Sequence, residues 1–145
     1  MDWTRYLRNH WQVGTYGFVY ANSFKEKVIE KVVEYWKDKK VIDEGDQVKS
    51  FLLSLCSSLY FTGIAYVYRN THAPDGIVTY HAMNPYMLVA VAGTPDKAPH
   101  YQYRMGQEVL GHSSVTIISP EAIDKIVLGV VGPALTEKMA KEQNI

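Results

Sequence analysis

The stretch from Val48 to Arg69, VKSFLLSLCSSLYFTGIAYVYR, changes its hydrophobic period at Gly63. Before the glycine, Val48, Phe51, Leu52, Leu55 and Leu59 recur at helical spacing, as the buried face of a core helix does. After it, Ile64, Tyr66 and Tyr68 alternate with Ala65, Val67 and Arg69, the period of two that marks a strand. The predicted unit is a buried helix running directly into a strand. Phe51 to Val67 is the most apolar part of the chain, but Ser54, Ser57, Ser58, Thr62 and Gly63 interrupt it, so no membrane span is expected.

Working toward the N-terminus, Gly45 and Asp46 punctuate the chain just before this helix. Upstream, Ser23 and Glu26 match a capping box, which places a helix start at Ser23. Phe24, Val28, Val32 and either Tyr35 or Trp36 then form an apolar stripe, opposed by Lys25, Lys31, Glu34 and Lys37, to about Lys39. Residues 1 to 22 hold Trp3, Tyr6, Trp11, Tyr16, Phe18 and Tyr20, too many aromatic rings for a free tail. Gly14 and Gly17 bar one long helix there.

Working toward the C-terminus, Asn70 to Gly76 contains Pro74-Asp75-Gly76 and predicts a turn, with Ile77 to His81 returning as the antiparallel partner strand. Asn84-Pro85 breaks the chain before a strand at Met87 to Ala92. His100 to Arg104 and Val109 to Leu110 continue the meander with a turn at Gly106, and Val115 to Ile118 forms a last strand. Ser119-Pro120-Glu121 reads as a helix start, with a short helix to Leu128 and a final polar helix over Ala134 to Gln143.

The expected fold is therefore α+β, one domain over residues 1–145: N-terminal helices, over about 23–61, pack on a mostly antiparallel sheet of about five short strands, over about 64–118. Short C-terminal helices follow, over about 120–143. At 145 residues, 47% hydrophobic and 21% charged, the chain can bury a single ordinary core.

Fifteen basic and fifteen acidic side chains cancel, so net charge gives DNA contact no support, although a local basic face would permit it. The lone Cys56 rules out an internal disulfide and suits a reducing compartment. The N-terminus has no apolar signal stretch, which points to the cytoplasm.

Candidate chemistry is sparse. His10, His72, His81, His100 and His112 do not fall at zinc-motif spacings with one another or with Cys56, so no metal is expected. Cys56 lies in the apolar helix, where a thiol is inert packing, and Ser57 and Ser58 lack a nucleophile-elbow turn. Gly129 to Gly132 precedes a proline rather than a helix, so no phosphate loop and no cofactor is expected. Asp43, Glu44 and Asp46 suit a helix N-terminus better than acid–base work. An enzyme would need His81, His100 or His112 to converge with an acid such as Glu108.

Tyrosine is the one excess, eleven in all. A Tyr-rich sheet offers apolar bodies with polar tips, so Trp3, Trp11, Tyr66, Tyr68, Tyr101 and Tyr103 are candidate interface residues, with ordinary β propensity as the plainer account. Tyrosines beside Arg69 and Arg104 could also stack on single-stranded nucleic acid.

The order of an apolar helix running into Leu59-Tyr-Phe-Thr-Gly-Ile-Ala-Tyr-Val-Tyr68, a hairpin, and Asn84-Pro-Tyr-Met-Leu-Val-Ala-Val91 resembles the N-terminal part of tailed-phage portal, or head–tail connector, proteins. Tyr101-Gln-Tyr103 and Val115 to Ile118 fall where that family has its next strands, so the resemblance spans roughly Asp46 to Leu135. It implies a non-enzymatic subunit of a closed ring through which DNA passes, located in the host cytoplasm or virion and bound to itself and to other virion proteins. The chain departs from the family in length, with no room for stem, clip and tunnel-loop regions, which implies a fragment or reduced relative. It also lacks the histidine often found after the last of these strands, around Ser119 to Ile123. The matching positions are packing positions, so no functional residue is carried over. The alternative from the residues themselves is a protein-binding adaptor or regulatory domain that uses the Tyr-rich sheet.

Overall fold

The computed structural model describes residues 1–12, 18–39, 45–109 and 112–129. It is α+β, with helices α1 (Trp3–His10), α2 (Phe18–Trp36) and α3 (Asp46–Thr62), followed by strands β1 (Ile64–Asn70), β2 (Thr79–Met83), β3 (Leu88–Val91), β4 (His100–Val109), β5 (His112–Ile118) and β6 (Ile123–Val127). The chain divides into two compact units, Met1–Ala65 with the segment from Ile126, and Tyr66–Lys125.

The first unit is built on α3. Phe51, Leu52, Leu55, Cys56, Leu59 and Tyr60 are all buried, the stripe that helical spacing predicts. Phe24, Val28, Ile29, Val32 and Trp36 of α2 are buried with them, and the rings of Phe24 and Tyr60 lie 5.4 Å apart while those of Trp36 and Phe51 lie 5.2 Å apart. α3 ends because Gly63 takes the left-handed conformation at φ 76°, its N–H returning to Leu59 O, and an L side chain there would meet its own backbone.

α2 begins at Phe18, not at Ser23. A capping box contributes only about 1 kcal/mol, and nothing in Phe18 to Asn22 breaks a helix, so the turn of helix before Ser23 continues rather than yields to it. α1 is capped by Asp2, whose Oδ1 accepts from Arg5 N at 3.1 Å. It is held through buried Leu7 and Trp11, the latter donating from Nε1 to Ser57 Oγ at 3.2 Å. Arg8 Nε spans both Glu26 carboxylate oxygens at 2.8 and 2.9 Å.

The strands form two three-stranded sheets, ordered β2-β1-β6 and β3-β4-β5, in place of the expected single sheet of about five strands. The β1–β2 hairpin forms as expected, with Tyr68 opposite His81 and Asn70 opposite Thr79, and its returning strand starts two residues later than predicted. The other edge of β1 is then taken by β6, so β3 cannot join it. At Asn84 the chain turns, with Met87 N donating to Asn84 O and Tyr86 N to Asn84 Oδ1, and β3 opens a separate sheet against β4. Met83, Tyr101, Ile118 and Ile123 form the core where these sheets meet, with Tyr66, Tyr68, Leu88 and Tyr103 packed against it.

Two further expectations are corrected. Gly106 is not a turn: β4 runs through it to Val109, with a register irregularity between Met105 and Val109. The predicted helix over Pro120 to Leu128 is a single 3₁₀ turn, Pro120–Ala122, that leads into β6. Ile123 and Ile126 sit three apart, which suits a helix, but their β-branched side chains also suit a strand and the free edge of β1 decides the matter. Leu128 N and Gly129 N both donate to Gly63 O, anchoring the end of β6. The final helix expected over Ala134 to Gln143, Leu110, and the acidic pair Asp43 and Glu44 lie outside the described residues.

Candidate interaction surface

Of the six aromatic residues marked by the sequence, four are brought together. Tyr101 is 7% exposed, Tyr66 meets it edge-on at 6.1 Å, and Tyr68 and Tyr103 complete the same cluster. Tyr101 belongs to the core of the second unit, and Tyr66, Tyr68 and Tyr103 pack against it half-buried. Lys125 covers the Tyr101 ring at 5.7 Å and bonds with the Tyr101 hydroxyl, which raises the Lys125 pKa. Trp11 is 3% exposed and is spent on docking α1.

Trp3 is half-buried, stands edge-on to Tyr6 at 5.8 Å, and lines a shallow groove of about 380 Å³ between α1 and α2, with Val33, Trp36 and Lys37. A second open depression of about 560 Å³ lies alongside, flanked by Arg8, Glu26, Glu30 and Glu34.

Besides Phe61 and Tyr86, several aliphatic side chains that sequence reasoning did not single out face water. In the sheet β3-β4-β5, Leu88 opposite Tyr103 and Tyr101 opposite Ile118 face the core, so the alternate residues face out. Those outward residues are Val89, Val91, His100, Gln102, Arg104, Val115 and Ile117. Val89, Val115 and Ile117 are 46%, 45% and 69% exposed. The signal that could have found them is the pairing itself: Val89 sits opposite Gln102, and Gln102 opposite Ile117, a polar residue flanked by two aliphatics.

The charged groups nearby have structural partners. Arg69 Nε lies 3.0 Å from Asp124 Oδ1, too poorly aligned for a hydrogen bond, so the contact is ionic, and its Nη2 donates to Glu121 O. The Ser119 hydroxyl donates to the Glu121 carboxylate and holds that carboxyl below the usual range. His81 Nε2 lies 3.0 Å from Thr79 Oγ1, and His100 Nδ1 lies 3.1 Å from Ala98 O, each satisfied within its own strand or the loop before it. The Glu108 and His112 side chains lie outside the described part. Burial pushes the Cys56 thiol up to about 12, which leaves it protonated and unreactive at neutral pH.

Among the described residues no group of three His, Cys, Asp or Glu side chains is placed to hold a metal ion, and no helix is long and apolar enough to cross a membrane. No family model, no curated protein and no solved structure matches the chain.

Proposed function

We propose that the chain is a non-enzymatic assembly protein that associates with itself, a portal-like or head–tail connector subunit or fragment. The observation that carries this reading is the outward face of β3-β4-β5, where Val89, Val115 and Ile117 stay exposed although the sheet has a complete core on its other side. Exposed β-branched side chains on a short sheet are costly to solubility and suit a surface that is covered in the working state. The order α3, β1, hairpin, β3 also follows the portal-like order of elements. A ring subunit would act by position alone, its chemistry being recognition of neighbouring subunits and of other virion proteins.

A second reading, a protein-binding adaptor, is favoured by the groove beside Trp3, which presents a half-buried indole over an aliphatic and aromatic floor. The two readings differ in symmetry, since a ring closes on itself and an adaptor waits for its partner. Light scattering of the purified chain over a range of concentration and salt separates them. A discrete large oligomer is expected, and a monodisperse monomer at every concentration would overturn the assembly reading.

A further inference from the structure

We propose that the sheet β3-β4-β5 continues from molecule to molecule, the outer edge of β5 receiving the outer edge of β3 from a second copy of this chain, head to tail. The inference rests on the assembly reading and names the strands that carry it.

Among the described residues, β3 and β5 each have a single neighbour, β4. Sheets commonly protect such edges with charged residues or proline. β3 is LVAV and β5 is HSSVTII, and neither contains Asp, Glu, Lys, Arg or Pro. The other sheet differs: of its two edge strands β2 (TYHAM) is also uncharged, but β6 carries Asp124 and Lys125, so only β3-β4-β5 has both margins unguarded.

Two unguarded edges at opposite margins of one sheet suit a head-to-tail contact, which consumes both, whereas a two-fold contact pairs one edge with itself and leaves the other bare. β3 and β5 both run antiparallel to β4 and therefore parallel to each other. Neighbours in a large ring differ by a small rotation, so β3 of one copy meets β5 of the next in parallel. With no charge on either strand, nothing repels the approach. Outward-facing Val89 then joins Val115 and Ile117 in one aliphatic stripe across the junction. The four residues of β3 limit the overlap to about 13 Å, so each junction is weak alone and gains from ring closure.

The test uses two full-length variants, Val89→Cys and Ile117→Cys, oxidised mildly, each alone and co-expressed. Native Cys56 is buried and does not compete. A cross-linked dimer is expected in the co-expressed sample and absent from either variant alone. A dimer from Ile117→Cys alone would mean a two-fold junction and overturn the head-to-tail arrangement. No cross-link in any sample, with wild type assembled by light scattering, would overturn the strand assignment while leaving the assembly reading intact. A wild type that stays monomeric throughout removes both. Ile117→Lys supplies an independent arm: with its far-UV circular dichroism unchanged, it is expected to lose the assembled fraction, and retention of that fraction counts against the β5 edge.

Discussion

Gly63, Cys56 and Glu121 show how far single residues report on their surroundings. Cys56 is enclosed by the apolar face of α3, and burial raises its thiol from the ordinary 9.0 to about 12. A raised value in the folded state means that this group's stability contribution is full below about pH 9 and is lost as pH climbs toward about 12, where the unfolded thiol ionises first. Thiol labelling at pH 8 should therefore be blocked in the native protein and complete in denaturant, and fast native labelling would show that α3 opens. Glu121 behaves in the opposite sense. Its carboxyl is held low by the Ser119 hydroxyl, so its contribution is present above the usual carboxylate range and fades as pH falls through the lowered value. Ser119→Ala should move the Glu121 titration upward in an NMR pH series, and an unchanged titration would place the cause elsewhere.

At the scale of elements, α3 and β1 were legible because the change of period coincides with a residue that ends a helix. Leu59 is fully buried near that junction, so Leu59→Ala should cost about 2–5 kcal/mol by urea unfolding. Gly63→Ala, which forces an L residue to φ 76°, should cost about 1–2 kcal/mol without a core defect. A smaller loss at Leu59 than at Gly63 would mean that the helix stop, not the stripe, anchors the unit. β6 was not legible, because the three-residue spacing of Ile123 and Ile126 reads as helix, only their β-branched side chains suit a strand, and the deciding contact is remote: Arg69 and Glu121, which meet beside it, are 52 residues apart. Gly106 was misread for a related reason, since a glycine inside a strand marks an irregularity as readily as a turn. The outward aliphatic face of β3-β4-β5 was not legible either. Tyrosine is ambivalent between core and surface, and only the pairing of β3, β4 and β5 turns Tyr101 inward and Ile117 outward.

At the scale of the whole molecule, the aromatic residues divide between the units in a way that can be measured. All three tryptophans, Trp3, Trp11 and Trp36, belong to the first unit, while Tyr66, Tyr68, Tyr101 and Tyr103 belong to the second. Ile118→Ala should weaken the near-ultraviolet tyrosine signal and leave the native tryptophan emission maximum in place, whereas Leu59→Ala should shift that emission to the red on partial unfolding. A tryptophan shift in Ile118→Ala would show that the two cores respond as one.

The sequence by itself determined the α+β class, the amphipathic α2, the buried α3 and the hairpin after it, because each depends on periodicity and turn chemistry within a few neighbouring residues. Tertiary structure alone decided that the strands split into two sheets, that β6 is a strand, and that Tyr101 lies in the core while aliphatic side chains of β3 and β5 face water. Those outcomes depend on which strand edge is already occupied, and an edge is filled by partners far along the chain that no local pattern specifies.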